Sequence, residues 1–397
     1  MRKIAATYIC PGNQPPIKNG ILTLTNDGTI VEISGDNEKL TEQPGLEFYS
    51  GILVPGFINT HCHLEFSHLK GKIEEKTGIG GFIGKINQIR NHETDNIEKA
   101  IDVADRKMWA AGTAAAGDVT NSTLTVATKK KSSIFYHTFI ESFGFHPSRA
   151  ERAFEYAQFV EKQFNQKGLL NSIVPHSPYS VSEGLFGKIK ANALIEKSIL
   201  TVHNQESASE SEFYMKGTGA IANHLTENLG IDISHWIPTG KSSLISILKY
   251  LPAENHLLLV HNTFTTKEDL VELKKMRSTE NTFFVLCPNS NLYIENQLPP
   301  VELLRNENLK ICIGTDSLAS NHELSVLSEI KTLQQNFPDL KMNELLNWAC
   351  LNGAKALQIE NNFGSFELGK KPGVNLISGV DFKKMRLTKE SWVKRLM

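Results

Sequence analysis

The chain reads as an α/β protein built on a TIM-type (β/α)8 barrel, and three observations predict it. Apolar, β-rich runs alternate with segments of helical periodicity from about residue 53 to residue 363. That is the pattern of parallel strands joined by crossover helices. The number of units suits a closed barrel better than an open sheet. Histidines and acids also stand just after many of the apolar runs. In such a barrel all strand C-termini open on one face, where the chemistry sits.

Residues 1–50 read as short strands and turns. Residues 21–25 alternate, Asn26-Asp27-Gly28 is a hairpin signal, and residues 29–33 form the return strand. No catalytic candidate stands there. The apolar run 52–58 ends in His61-Cys62-His63. Residues 97–111 carry apolar side chains at helical spacing and stop at Gly112-Thr113, before a small-residue strand toward Asp118. Strands follow at 134–140, 169–174 (ending at Pro175-His176), 199–202 (ending at His203), 256–260 (ending at His261), 282–286 and 309–313 (ending at Gly314-Thr315-Asp316). Helices fill the intervals at 149–164, 182–197 and 241–250. Thr266-Lys267-Glu268-Asp269 forms a capping box for another helix, and two more are read at 323–335 and 342–357. The insertion 207–240 exceeds the roughly 2–6 residues usual for a strand-to-helix loop. Its glycines and its aromatic residues Phe213, Tyr214 and Trp236 suit a cover over the site. A rigid decoration with a helix near 219–229 fits it equally.

Composition bounds the partners. With 397 residues, 40% hydrophobic and 21% charged, the chain suits one large domain or one plus a small one. A formal net charge of -1 gives no electrostatic case for nucleic acid or an anionic membrane surface. No apolar run reaches the roughly 18 residues needed to cross a bilayer. Met1-Arg2-Lys3-Ile4 leads into an alternating strand, not a secretory leader. The 5 cysteines are odd in number and widely spread, so a reducing cytoplasm is expected.

His61 and His63 stand at i and i+2 of an extended segment and point to one side. His203 supplies a third imidazole and Asp316 a carboxylate. Three nitrogen donors, one carboxylate and an open position describe a catalytic site for one divalent metal ion. A lone histidine after a strand is more often structural, but six such positions in register make chance a poor account. Glu206, just beyond His203, is not needed as a ligand and is free for proton transfer. Standing alone it would read as a solvated helix-start carboxylate. His261 is placed to hydrogen-bond the attacking water, against the plain reading of a buried structural histidine. Arg149 could meet an anionic substrate group; a solvated helix-start charge is its plainer reading.

Six segments stand in one order along the chain: Pro55-Gly56-Phe57-Ile58-Asn59-Thr60-His61-Cys62-His63, Pro175-His176-Ser177-Pro178-Tyr179-Ser180, His203-Asn204-Gln205-Glu206, Val260-His261-Asn262, Cys287-Pro288-Asn289-Ser290-Asn291-Leu292 and Gly314-Thr315-Asp316-Ser317-Leu318-Ala319-Ser320-Asn321. Together they resemble the nucleobase and nucleoside deaminase branch of the amidohydrolase superfamily. That branch includes adenosylhomocysteine, methylthioadenosine and aminodeoxyfutalosine deaminases, beside the chlorotriazine hydrolases. The resemblance implies a small β subdomain built from both termini, 1–52 and 364–397, around a barrel at 53–363. It implies that His61, His63, His203 and Asp316 hold one zinc ion, with iron as the alternative. Pro175-His176 stands where binuclear relatives carry a modified lysine, which implies a single metal. Glu206 would shuttle protons, His261 and Asp316 would serve the attack, and His176 and Glu206 would touch a small-molecule substrate. The implied activity is hydrolytic deamination of an amine-bearing heterocycle, an adenine nucleoside such as aminodeoxyfutalosine. His63-Leu64-Glu65-Phe66-Ser67 leans toward that substrate. The alternatives are a free base, a pterin, or hydrolytic dechlorination. A non-catalytic scaffold would have lost a ligand or Glu206, and a homo-oligomer is compatible with all of these readings.

Overall fold

The structure is a computed structural model that describes residues 1–35, 40, 41, 43–89 and 94–397. Eight strands build the barrel: β1 (Phe57–His63), β2 (Thr113–Thr120), β3 (Phe135–Ser142), β4 (Leu170–Pro175), β5 (Leu200–Asn204), β6 (Leu257–His261), β7 (Thr282–Leu286) and β8 (Lys310–Ile313). They pair in parallel as two arcs, β1 to β4 and β5 to β8. Most of their residues are buried, as expected where helices cover the outside and side chains fill the inside.

The arcs join at two seams with fewer ladder bonds. At the first, the backbone N–H of His203 donates to the His176 carbonyl at 3.0 Å. At the second, the Thr315 N–H donates to the His61 carbonyl at 2.9 Å, and the two-residue strand Asp316–Ser317 pairs with Cys62 and His63. Each seam therefore runs through residues expected to hold metal. Asn59 ties the second seam further, donating from Nδ2 to Thr315 Oγ1 at 2.8 Å.

The helices follow the alternation with local departures. The glycine-rich stretch after β1 forms the helix Gly78–Ile89. A Cβ on Gly80 would lie 2.9 Å from the Ala220 Cβ, so glycine lets this helix approach the 207–240 insertion closely. The single helix expected over 342–357 divides into Met342–Asn347, a π-type turn Trp348–Asn352, and Gly353–Ala356. The widened turn brings Asn352 Nδ2 to the Ile311 carbonyl of β8 at 2.9 Å. The helix expected over 241–250 shortens to Ser243–Ile247 and one 3₁₀ turn.

Both ends of the chain meet in one further sheet. Its order is Arg386–Arg395, Val374–Asp381, Leu46–Pro55, Arg2–Ile9, Ile21–Leu24, Ile30–Ser34, with Ile17–Lys18 beside Arg2–Ile9. Ile4, Ile9, Leu22, Leu24, Leu53, Phe366 and Val374 form its core. Leu46–Pro55 passes through Gly56 alone into β1. The strand Arg386–Arg395 was not evident from sequence, because its apolar positions are few and its alternation is carried by charged residues. Among the described residues no helix is long and apolar enough to cross a membrane. All five cysteines are free and buried.

Candidate active site

The site is assembled at the C-terminal ends of the strands. His61 and His63 sit at the end of β1, His203 at the end of β5, and Asp316 just after β8. One ligand atom from each lies within 4.8 Å of all the others, and all four residues are buried. Close approach is possible because position 314 is glycine: a Cβ there would lie 2.8 Å from the His61 Cβ and 2.9 Å from Cys287 Sγ.

His203 Nδ1 donates to the His176 carbonyl at 2.8 Å, which leaves Nε2 as its open donor atom. Asp316 Oδ2 accepts from Ser290 Oγ at 2.6 Å and from Ser320 Oγ at 2.5 Å. Its Oδ1 faces Nε2 of both His61 and His63 at 3.6 Å. Neither ring nitrogen of the buried His61, nor His63 Nδ1, has a hydrogen-bond partner among the described residues. Orphaned buried nitrogens are costly unless something accepts their lone pairs. Three imidazoles and a carboxylate are the donor set of zinc or a similar divalent ion. Burial is the main reason that His63 and His203 titrate below the ordinary histidine value, His203 far below it. Neutral rings are the form that binds metal. Burial raises Asp316, but the His61 imidazole facing it at 3.6 Å and the neighbouring imidazoles hold it well below the carboxylate range.

The support beneath β1 is a closed ion pair. Asp118, in β2, accepts from the Leu64 N–H at 2.8 Å and from Cys62 Sγ at 3.4 Å. Its other oxygen meets Lys129 Nζ at 2.6 Å, and neither side chain is exposed to solvent. Lys129 also donates to Thr138 Oγ1 at 2.9 Å.

Glu206 and His261 stand beside the four converging groups. Glu206 Oε1 lies 3.5 Å from His261 Nε2, and both residues are buried. Burial, then the negative charges of Asp316, Glu210 and Glu295, push the Glu206 carboxyl well above its usual range. Burial lowers His261 to about 3. Asn291 Nδ2 donates to Thr263 Oγ1 at 2.7 Å and lies 3.4 Å from His261 Nδ1. With Nδ1 accepting, His261 carries its proton on Nε2, aimed into the site. Gln205, His261, Asn262 and Asp316 all adopt left-handed backbone conformations, at φ 47°, 74°, 58° and 56°. Strain of this kind costs about 1–3 kcal/mol per residue and gathers at functional sites.

These groups open onto a cavity of about 570 Å³, in the range of ligand pockets. His176 lines it, and its Nδ1 is bonded to Glu141 Oε2 at 2.6 Å. Glu141 ends β3 and also accepts from Asn121 Nδ2 at 3.0 Å. Burial raises this carboxyl, but His176 and Asn121 bring it down to about 2. Glu65 is buried and accepts from Thr120 Oγ1 at 2.6 Å and Ser122 Oγ at 2.7 Å, while Phe66 stacks on His63 with ring centroids 5.7 Å apart. Apolar walls come from Phe82, Ile83 and Ile86 on one side and Ile221, Leu225 and Leu229 on another. Arg149 reaches the cavity, and so does Arg152 one helical turn on. No carboxylate pairs with either guanidinium among the described residues.

Phe213, Tyr214 and Trp236 do not line this cavity, contrary to the expected cover. Phe213 and Trp236 stack at 5.2 Å, and Tyr214 packs edge-on to Trp236. The insertion reaches the cavity through the apolar residues of 221–231 instead. Glu141 and Arg152 were missed in sequence. Glu141 follows the same strand-end rule as the histidines, and Arg152 lies three residues beyond Arg149 on one helix face.

The model of the Amidohydrolase family matches residues 52–395. An adenosine deaminase of Helicobacter pylori is 31% identical over 362 residues, 88% of this chain and 85% of that protein. The crystal structure of the Helicobacter pylori aminofutalosine deaminase in complex with methylthio-coformycin superposes with a TM-score of 0.81 at 24% identity, covering 97% of this chain and 94% of that one. That of an adenosine deaminase from Xanthomonas campestris with bound zinc gives a TM-score of 0.74 at 20% identity, covering 94% of this chain and 84% of that one.

Proposed function

The chain belongs to the amidohydrolase family, and from that premise we propose that it is a hydrolytic deaminase of an adenine nucleoside with an extended 5′ side, such as aminodeoxyfutalosine. The observation that carries this reading is the placing of Glu206. A buried carboxyl, pushed up by its surroundings, stands beside His261 and the four converging groups at the floor of an apolar cavity. That is the arrangement needed to move a proton onto a ring nitrogen while water adds to the neighbouring carbon.

His61, His63, His203 and Asp316 would hold a divalent ion, zinc, whose Lewis acidity lowers the pKa of water toward roughly 7. Glu206 takes a proton from the attacking water and delivers it to the ring nitrogen beside the amine-bearing carbon. His261, with its proton on Nε2, donates to the oxygen of that water and orients it. The new C–O bond forms; Glu206 then takes the remaining proton from the added hydroxyl and passes it to the amine, the C–N bond breaks, and ammonia leaves a ring carbonyl behind. No redox change is involved. His176, held on Nδ1 by Glu141, presents Nε2 to the nucleoside. The apolar walls exclude water from the ring, and Arg149 with Arg152 meets an acidic group at the far end of the substrate.

The test compares kcat/KM for ammonia release from aminodeoxyfutalosine, adenosylhomocysteine, methylthioadenosine, adenosine, guanine and a pterin. Nucleosides with a distal carboxylate should lead. A free base or pterin ahead by orders of magnitude would remove the nucleoside assignment, and no ammonia from any of them would remove the deaminase.

A further inference from the structure

Glu210 is fully buried, yet it belongs to no part of the reaction described so far. It lies in the first turn of the helix Ala208–Lys216, whose N-cap is Ser207. The Ser207 hydroxyl accepts from the Glu210 N–H at 3.1 Å. In an ordinary capping box, the carboxylate three residues into the helix returns to the N–H of the cap itself. Glu210 reaches further. Its Oε1 accepts from the Gln205 N–H at 2.9 Å and its Oε2 from the Glu206 N–H at 3.1 Å.

The backbone explains why both bonds form. Gln205 is left-handed, at φ 47°. A left-handed residue in such a turn gathers successive N–H groups into one concave nest, which suits an anion. The nest here is filled from within the chain. The Gln205 side chain is pinned separately, donating from Nε2 to Asp269 Oδ2 at 2.7 Å and accepting from Thr265 Oγ1 at 2.8 Å. That leaves Glu206 held at its backbone by Glu210, with its carboxyl projecting to His261 at 3.5 Å. A helix cap alone does not require a carboxylate at both N–H groups, and Ser207 already caps the helix.

We propose that Glu210 is a positioning residue: by clamping the Gln205 and Glu206 N–H groups it sets where the Glu206 carboxyl stands, and so governs the proton-transfer step without touching substrate or metal. The proposal rests on the reading of Glu206 as the proton carrier. Glu210→Gln keeps one acceptor oxygen and sets an NH2 group against the other N–H, so the clamp opens at one jaw.

The experiment is a double-variant cycle on the metal-loaded full chain: wild type, Glu210→Gln, Glu206→Gln, and both together. Metal content is read by elemental analysis and folding by thermal melt. Glu210→Gln should retain its metal, lose about 10-fold or more in kcat, and move KM less than about threefold, because only the transition state feels the misplaced carboxyl. The double variant should match Glu206→Gln within about twofold, since a group acting through Glu206 has nothing left to place. Losses that multiply, loss of metal, or an unchanged kcat in Glu210→Gln would each overturn the proposal. If Glu210→Gln does not fold, Glu210→Asp, which keeps the charge on a shorter arm, enters the same cycle with the same expected and overturning outcomes. A fully active Glu206→Gln also overturns it, and identifies the fault as the proposed function. A crippled Glu206→Gln with independent Glu210 effects leaves the deaminase standing and removes only the clamp.

Discussion

Two buried charged regions lie on opposite sides of the same site, and they are built on opposite rules. Under β1, Asp118 meets Lys129, a backbone N–H and a thiol, so each buried charge there has its counterpart. Beside β5 and β6, Glu206 and Glu210 face more negative charge, and no cation pairs with either among the described residues. Burial lifts Glu210 to about 7 and Glu206 well above its ordinary range. Compensation makes a scaffold, whereas its absence makes a group ready to hold and release a proton. The scaffold sits under the histidines proposed to hold metal, and Glu206, its backbone held by Glu210, sits where the proposed reaction moves a proton.

The comparison can be broken most severely through the groups both regions serve. His61→Ala should reduce bound metal from about one equivalent to near none and abolish turnover, read by elemental analysis beside the ammonia assay. Metal retained at full stoichiometry would sever the two regions from a shared centre. Next in size is the scaffold itself. Lys129→Met leaves Asp118 buried and unpaired, which should cost roughly 3–5 kcal/mol of stability by denaturant titration. Adding Asp118→Asn should recover part of the loss, and a single variant as stable as wild type would deny the ion pair its role.

The uncompensated side predicts the reverse pattern. Glu206→Gln should lose roughly 100-fold or more in kcat while keeping its metal, and should not lower the melting temperature, because it removes a buried carboxyl with no cationic partner. A fall in stability without a fall in kcat would exchange the roles of the two regions. The smallest effect is on pH. Folding holds His261 neutral down to about 3, against roughly 6.5 in the unfolded chain. As pH falls, the unfolded state therefore binds this proton first. The associated stability is complete above about 6.5 and is lost progressively toward about 3. His63 and His203 shift in the same direction. For metal-free protein the loss at pH 5 from His261 should approach about 2 kcal/mol, seen as a lower urea midpoint than at pH 7. A flat midpoint would count against neutral, buried rings.

The histidines, Glu206 and Asp316 were legible in sequence because barrel topology turns a one-dimensional rule, a polar residue after an apolar run, into a shared location. The alternation of strands and helices was legible for the same periodic reason. Glu141 obeys the rule, but it stands at the end of an apolar strand with no histidine beside it in sequence, and a carboxylate there reads as an ordinary solvated acid. Glu210 and Lys129 were not legible at all. Lys129 looks like an ordinary helix residue, and its partner Asp118 lies on a strand that folding brings near; Glu210 reads as a plain capping-box acid after Ser207, and its reach past the cap to two N–H groups depends on the left-handed Gln205. Phe213, Tyr214 and Trp236 misled because aromatic content says nothing of which neighbours the rings choose.

The sheet made from both ends of the chain carries a consequence for synthesis. Leu46–Pro55 feeds directly into the strand bearing His61 and His63, and its outer edge is covered only by Val374–Asp381. At about 5–20 residues per second, that covering strand leaves the ribosome roughly a quarter of a minute to a minute after Pro55. Throughout that interval the nascent chain presents an open β edge, an invitation to pair with a neighbour. The order of translation therefore sets a window of vulnerability that ends only when the last strands dock.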